Sequence, residues 1–168
     1  MSRGKLVAVE LPGAPGSADE PAVSIERRAE AREASPADQA TDQAALERWV
    51  AELEAYFRGE RLAWSAEEVP LEALSLGPFE HAVYVALLSI PAGATVAYGE
   101  LAEMAGYPRA ARAVGNVMAA NPIPVVVPCH RVIRADGSLG NYGDDPAWKG
   151  RLLAHERAGV PTSEAEKR

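Results

Sequence analysis

The stretch Val-Val-Val-Pro-Cys-His-Arg-Val, residues 125–132, joins an apolar run to the only cysteine among the 168 residues of the chain. Three successive valines predict a short buried strand. Pro128 lacks a backbone donor and disfavours helical geometry in the residue before it, so we expect the strand to end there. Cys129 would then lie where a strand gives way to a turn, which is a common place for functional residues.

Cys129 is followed directly by a histidine, and this pairing suggests a nucleophile. A cysteine attacks as the thiolate, which forms near neutral pH when a base or a positive charge is close by. His130, Arg131 and Arg134 provide both. The alternative is that Cys129 is a small core residue, because single cysteines are among the residues most often buried.

The composition, with 48% hydrophobic residues, predicts a globular protein that can bury a core. No segment approaches the roughly 18 apolar residues that cross a bilayer, and the N-terminus lacks a signal-like start. We therefore expect a cytoplasmic protein with no membrane partner. One cysteine allows no internal disulfide and argues against a cysteine-based zinc site, so we expect no metal and no cofactor.

Charge is distributed unevenly along the chain. Residues 1–77 contain 15 acidic against 8 basic residues and carry the whole net charge of −7, whereas residues 78–158 are balanced. No acidic residue occurs between Met104 and Ala135. That segment contains four arginines, namely Arg109, Arg112, Arg131 and Arg134. A local positive field of this kind favours phosphate binding. The alternative is four scattered, solvated arginines.

The N-terminal part shows two candidate strands, 5–11 and 22–25, and then a segment, 12–43, with little periodicity, part of which we expect to be mobile. An amphipathic helix follows. Thr41 or Asp42 is its predicted cap and Gly59 its predicted end. Its apolar residues at helical spacing are Leu46, Trp49, Val50, Leu53, Tyr56 and Phe57.

Residues 61–78 read as a loop or linker, which places a domain boundary near Gly77. The sequence therefore predicts an N-terminal domain over 1–77, a second domain over 78–160 and a tail over 161–168.

The second domain is predicted to be mainly helical. A helix from Phe79 to Ile90 ends at Pro91, and two shorter helices follow on either side of Gly106. The second of these, 109–120, is expected to turn Ala110, Ala113, Val114, Val117 and Met118 mostly inward. Its small side chains would allow close approach to a backbone, with Arg109 and Arg112 on one side. This pattern is typical of a helix-turn-helix, although an ordinary helical hairpin fits it too.

A series of short motifs runs through residues 79–158. In order they are Tyr98, Arg112-Ala113-Val114-Gly115, Asn121-Pro122, Pro128-Cys129-His130-Arg131-Val132, Gly140-Asn141-Tyr142, Lys149, Leu152-Leu153 and Glu156. Together they resemble the signature of the methylated-DNA--protein-cysteine methyltransferases, also called O-6-alkylguanine-DNA alkyltransferases. The Pro-Cys-His-Arg-Val core together with the upstream Arg-Ala-Val-Gly and Asn-Pro is specific, because chance does not readily produce both.

The resemblance implies a suicide repair reaction, in which Cys129 takes an alkyl group from O-6 of guanine, or from O-4 of thymine, and keeps it. Glu156 would orient His130, which would accept the thiol proton through a water, and Asn121 would hold the turn before the active-site strand. The residues support this independently, because a helix over 146–158, capped by Asp144 or Asp145, turns Glu156 inward. The alternative is a surface glutamate near a frayed helix end.

The resemblance also implies substrate and DNA contacts. Arg112 would enter the base stack from the minor groove in place of the flipped guanine. Tyr98 would donate a hydrogen bond to guanine N3; its alternative role is a core aromatic that caps a helix. The remaining residues carried over are Tyr142 and Gly143 at the alkyl pocket, Val132 at the guanine edge, and Ala113, Gly115, Arg109 and Arg134 at the DNA. The expected partner is double-stranded DNA containing alkylated guanine, bound by a monomer.

The expected fold is of the α/β (α+β) class. A small divergent N-terminal α/β domain precedes a mainly helical C-terminal domain with a winged helix-turn-helix-like DNA-binding element. Two carboxylates at 144 and 145 depart from the family pattern and affect pocket width. Three other functions stay open: a lesion sensor without transfer, a helix-turn-helix regulator, and a cysteine hydrolase. Neighbouring residues of a strand point to opposite sides, so a hydrolase with adjacent Cys129 and His130 would need an irregular turn.

Overall fold

The computed structural model describes residues 8–10, 24–26, 36–143 and 147–159. It is a mixed fold in which helices dominate. In chain order the elements are β1 (Ala8–Glu10), β2 (Ser24–Glu26), α1 (Pro36–Phe57), a 3₁₀ helix (Leu71–Leu74), α2 (Pro78–Leu88), β3 (Val96–Ala97), α3 (Tyr98–Met104), α4 (Ala111–Ala119), a second 3₁₀ helix (Cys129–Arg131), β4 (Val132–Ile133) and α5 (Ala147–Gly159).

The first two strands form an antiparallel pair in which Val9 lies opposite Ile25. β1 falls inside the predicted strand 5–11. β2 overlaps the predicted strand 22–25 but is displaced toward the C-terminus by a residue. The other residues of both predicted strands lie outside the described part of the chain.

Helix α1 begins at Pro36, so the predicted cap at Thr41 or Asp42 is wrong. The physical reason is local propensity. Proline is well suited to the first helical position, and the alanine-rich stretch that follows it favours helix without help from packing. Residues 36–43, expected to lack regular structure, are therefore the first turns of α1. The other end is as predicted, since the chain leaves the helix at Gly59, whose φ is +75°.

Residues 61–77 connect α1 to α2, as expected for a loop or linker, but they contain the 3₁₀ helix Leu71–Leu74 and pack on the core. Trp64, Val69 and Leu71 are buried in it. The backbone N–H of Gly77 donates a hydrogen bond to Glu80 Oε2 at 2.6 Å, and this contact caps the start of α2. The boundary near Gly77 coincides with this helix start, and the division into domains stays a prediction.

Helices α2, α3 and α4 pack around a shared apolar core. Fully buried side chains from each helix meet there, including Val83 and Leu87 of α2, Leu101 of α3 and Val114 of α4. A parallel pair, β3 with β4, places Val96 opposite Val132 and so joins this core to the segment that contains Cys129.

Helix α4 begins at Ala111, two residues later than predicted. Arg109 lies in the preceding turn with φ of +71°, a left-handed conformation that a helix cannot contain. The prediction that Arg109 and Arg112 share one side of a helix is therefore wrong. Ala113 is exposed rather than inward, whereas Val114, Val117 and Met118 are buried as expected.

The predicted strand at 125–127 is also wrong. Val125 has φ of +74°, which breaks an extended run, and Val127 N donates to Ile123 O at 3.0 Å across a tight turn. All three valines are buried, so their apolar character reflects a buried turn and not a strand. Cys129 opens a 3₁₀ helix that follows the buried turn and leads directly into β4.

Candidate active site

The sulfur of Cys129 is held by Asn121 in a nearly closed environment. Asn121 Nδ2 donates to Cys129 Sγ at 3.1 Å and to Val127 O at 2.8 Å, while its Oδ1 accepts from Ile123 N at 3.1 Å. The amide therefore binds both the turn and the thiol that follows it. Cys129 is 7% exposed, so the residue is almost completely enclosed.

Burial raises the pKa of the Cys129 thiol. The hydrogen bond from Asn121, the hydroxyl of Tyr142, the charge of Lys149 and a backbone hydrogen bond act in the opposite direction. Since burial outweighs them, the resting group is a neutral thiol. A nucleophilic reaction at this sulfur therefore needs a base that removes the proton.

His130 is the base nearest to Cys129 in the chain, and its imidazole is completely buried. Its Nε2 lies 2.8 Å from Glu156 Oε1. Burial lowers the pKa of His130 in spite of this carboxylate, so the ring is neutral at neutral pH. An ionised carboxylate only accepts hydrogen bonds, and Nε2 therefore carries the proton. Nδ1 is left as a buried acceptor with no hydrogen-bond partner among the described residues.

Glu156 is the most heavily hydrogen-bonded side chain of the site. Its Oε1 accepts from Tyr56 Oη at 3.0 Å, and its Oε2 accepts from Gly93 N at 2.7 Å. Arg131 Nη2 donates to Oε1 at 2.7 Å. Burial alone would raise the pKa of Glu156, but the hydrogen bonds from His130 and Arg131 and the charge of Arg131 lower it to about 2. The carboxylate is therefore charged throughout the physiological range.

The buried position of Arg131 contradicts the prediction that it contributes to a positive field for phosphates. It is 1% exposed, and besides Glu156 it donates to Ile90 O at 2.6 Å and to Leu62 O at 2.7 Å. A side chain with these partners is a structural clamp and is not available to phosphates. The sequence contains no signal for this, because arginine next to the Cys-His pair fits a surface role equally well.

Two aromatic residues and a lysine lie near the thiol. Tyr142 packs edge-on against His130, with ring centroids 6.4 Å apart, and its buried hydroxyl has no hydrogen-bond partner among the described residues. Lys149 is 1% exposed, and its Nζ lies 5.9 Å from the ring centroid of Tyr98. Burial lowers the pKa of Lys149, and the nearby Cys129 opposes this. Lys149 carried no predicted role, yet its positive charge acts to lower the pKa of the Cys129 thiol.

Comparison with known proteins gives the family. The sequence profile described as 6-O-methylguanine DNA methyltransferase, DNA binding domain, matches residues 78–158. The methylated-DNA--protein-cysteine methyltransferase of Mycobacterium leprae is 48% identical over 114 residues, which cover 68% of this chain and 67% of that protein. The mouse protein of the same name is 44% identical over 119 residues, 67% of this chain but only 54% of its own length.

The chain belongs to the methylated-DNA--protein-cysteine methyltransferase family.

Solved structures of the family extend the likeness beyond residues 78–158. The Mycobacterium tuberculosis O6-methylguanine methyltransferase is 30% identical with a TM-score of 0.60, over 95% of this chain and 98% of that one. The complex of Mycobacterium tuberculosis OGT with DNA is 43% identical with a TM-score of 0.58, over 67% of this chain and 66% of that one. The match with the mouse alkyltransferase, by contrast, spans about half of that protein's length.

The structure brings part of the predicted alkyltransferase site together. Asn121 donates to Cys129, Tyr142 packs against His130, and His130 with Glu156 forms the adjoining buried pair. Val132 is buried at the start of β4 and donates its backbone N–H to Cys129 O, which ties it to the end of the 3₁₀ helix. Gly143 is exposed with φ of +48°. Asp144 and Asp145, with the helix cap predicted there, lie outside the described residues.

The predicted DNA-binding residues lie on the surface, apart from the buried cluster. Arg112 and Ala113 are exposed on α4, and Arg109 and Arg134 are exposed in turns. Gly115 faces inward, and a Cβ built there would be 4.0 Å from Cε1 of Tyr98. Helix α4 therefore has one side on Tyr98 and another side, with Arg112, toward solvent.

Two further findings concern partners. Within residues 36–143 and 147–159 no helix is long and apolar enough to cross a membrane. No group of three or more histidine, cysteine, aspartate or glutamate side chains is arranged to hold a metal ion in the part of the chain that the structure describes.

Proposed function

We propose that this protein repairs DNA by transferring an alkyl group from O-6 of guanine, or O-4 of thymine, to Cys129 in a single irreversible turnover. The observation that carries the proposal is the juxtaposition of an Asn121-bound thiol with the buried His130–Glu156 pair. Family relatives named methylated-DNA--protein-cysteine methyltransferase support the same chemistry.

The proton of the thiol has one suitable destination. His130 Nδ1 is a buried acceptor, because Nε2 donates to Glu156. A single water between Cys129 Sγ and Nδ1 carries the proton from the thiol to the imidazole. The resulting imidazolium is stabilised by Glu156, whose own charge is fixed by Arg131. Because the pKa of His130 is lowered by burial, the ring is in its basic form when substrate arrives.

Transfer itself is a displacement at the alkyl carbon. The Cys129 thiolate forms the sulfur–carbon bond as the carbon–oxygen bond to the base breaks, and the leaving guanine takes up the negative charge. The Tyr98 hydroxyl donates to N3 of that guanine and thereby stabilises the charge, and the proton lost by the thiol neutralises it in the end. The Cys129 thiolate is a poor leaving group from the thioether that has formed, so the protein is consumed, and no cofactor takes part.

Recognition requires the damaged base to leave the duplex, since Cys129 is almost completely enclosed. Arg112 projects from the exposed side of α4 and takes the place of the flipped base from the minor groove. Arg109 and Arg134 contact phosphates on either side. The complex is formed by one protein molecule on double-stranded DNA.

Lesion counting tests this proposal. A fixed amount of protein is incubated with increasing amounts of a duplex containing one O-6-methylguanine, and the lesions removed are counted. We expect a plateau at one lesion per chain, with no removal by Cys129→Ala. Removal beyond one equivalent would identify a turning-over hydrolase instead. Binding of the lesion duplex with no loss of the lesion would identify a sensor.

A further inference from the structure

Helix α1 contributes a hydrogen bond directly to the active-site carboxylate. Tyr56 Oη donates to Glu156 Oε1 at 3.0 Å, although the two residues are 100 positions apart. Both side chains are completely buried. Tyr56 lies outside residues 78–158, the segment matched by the DNA-binding domain of the family. The carboxylate that orients His130 is therefore shared between that segment and the helix before it.

Two more contacts tie the same region to the site. Leu62 O accepts from Arg131 Nη2 at 2.7 Å, and Arg131 in turn binds Glu156. His155, the neighbour of Glu156 in α5, has its Nε2 2.7 Å from Tyr56 O. The end of α1 and the loop after it thus contact the Glu156 carboxylate, its arginine partner and its helix.

Aromatic packing fixes the ring of Tyr56 in the orientation that points its hydroxyl at Glu156. It stacks on Trp64, with centroids 5.9 Å apart and planes inclined by 20°, and Phe57 packs edge-on at 5.3 Å. A phenylalanine would fill the same apolar space, and a buried hydroxyl is costly unless it is hydrogen-bonded. The hydroxyl is therefore best explained by what it does to Glu156.

We propose that Tyr56 is a positioning residue for the repair reaction, which holds Glu156 Oε1 so that His130 keeps the orientation needed to accept the thiol proton. This inference rests on the proposed function. It means that residues 78–158 do not contain the whole site, because α1 completes it. The titratable and charged groups facing the His130–Glu156 pair are Tyr56 of α1, Arg131 of the 3₁₀ helix, Tyr142 of the following loop and Lys149 of α5.

The test compares Tyr56→Phe with Trp49→Phe in the full chain. Trp49 is a buried aromatic of the same helix whose ring centroid lies 6.3 Å from that of Trp64, and it forms no hydrogen bond with Glu156 in the described part of the chain. The second variant therefore controls for weakened packing of α1. The single-turnover rate constant at saturating lesion duplex is measured against pH. Affinity for the duplex is measured with Cys129→Ala added.

We expect Tyr56→Phe to lower the plateau rate by about tenfold, the effect of one lost hydrogen bond to a charged group. The acid limb should move to higher pH, because Glu156 without its Tyr56 donor interacts more strongly with protonated His130. Affinity should stay within about twofold. Trp49→Phe should keep the wild-type rate and profile. A wild-type rate and profile in Tyr56→Phe, or an equal fall in both variants, would overturn the inference.

A second measurement does not depend on activity. The titration of His130 is followed by nuclear magnetic resonance in folded wild type, Tyr56→Phe and Trp49→Phe. An upward shift of the His130 pKa in Tyr56→Phe alone supports the positioning role, and coincident titrations in all three contradict it. If wild type transfers no alkyl group, the proposed function fails, and this titration still decides whether Tyr56 acts on the His130–Glu156 pair.

Discussion

His130 Nε2 and Glu156 Oε1 lie 2.8 Å apart with both side chains fully enclosed, on a 3₁₀ helix and on α5 respectively. The pair determines which nitrogen of His130 carries the proton, because an ionised Glu156 makes Nε2 the donor and leaves Nδ1 to act as the base. The charge of Glu156 depends in turn on Arg131. Most of the predictions below follow from this arrangement.

Replacing His130 by phenylalanine should remove the base while keeping an aromatic ring in the cavity. The thiol proton would then have no acceptor, and we expect the single-turnover rate constant near pH 7 to fall by roughly 100-fold or more. The rate should recover partly at high pH, where solvent ionises the thiol. Quenched-flow assay of a lesion duplex measures this. A rate near that of wild type, with no dependence on pH, would contradict the assignment of His130 as base.

Acid should destabilise wild type through Glu156. Its pKa falls from an ordinary 4.5 to about 2 in the folded protein, so the unfolded chain binds this proton more tightly. The contribution to stability is complete above about pH 5 and is lost as pH falls toward 2. We expect the free-energy difference between wild type and Glu156→Gln to be largest near neutral pH and to shrink over this window. Urea unfolding at several pH values measures it, and a constant difference would argue against a charged Glu156.

Replacing Arg131 should destabilise the fold far more than replacing Arg134, although the sequence places both residues in one positive stretch. Arg131→Gln breaks a buried ion pair and leaves two backbone carbonyls without their donor, so we expect a loss of about 3 to 5 kcal/mol in unfolding free energy. Arg134 is exposed, and Arg134→Gln should change stability by less than about 0.5 kcal/mol. Thermal and urea unfolding compare the two. Equal losses would mean that Arg131 is not the clamp described.

Arg112→Ala should impair repair without affecting the fold, because the side chain is exposed on α4. We expect the rate of transfer from a duplex to fall by roughly 10- to 100-fold, because Arg112 no longer offsets part of the few kcal/mol that it costs to unstack the base. Arg58→Ala is the matched control, since Arg58 is an exposed arginine in the turn directly after α1, where it pairs with Glu54 and Glu60. Transfer from free O-6-benzylguanine should be unchanged in Arg112→Ala. A fall with the free base as well would place Arg112 in the chemistry instead of base extrusion.

Part of the fold and site could be predicted from the sequence because those parts rest on periodicity. The stripe of Leu152 and Leu153 on a helix of 3.6 residues per turn is enough to turn Glu156 inward, and the structure buries it. The same reasoning gives α2 and α3 and the buried face of α1. These features depend on short-range spacing, which is present in the sequence itself.

The remainder depends on contacts between distant residues. Three buried valines look the same in a strand and in a tight turn, and only the left-handed Val125 distinguishes them. Arg131 reads as a DNA-facing cation until Glu156, Ile90 and Leu62 are brought around it. Tyr56 reads as one more apolar position of α1, because no local pattern records that its hydroxyl reaches α5.

The most direct test of the central claim is the mass of the intact protein after incubation with an excess of duplex containing one O-6-methylguanine, followed by peptide mapping. The account predicts a gain of one methylene per chain, located on Cys129 and saturating at one equivalent, with no gain in Cys129→Ala. No gain in wild type, or a methyl group located on another residue, would contradict it.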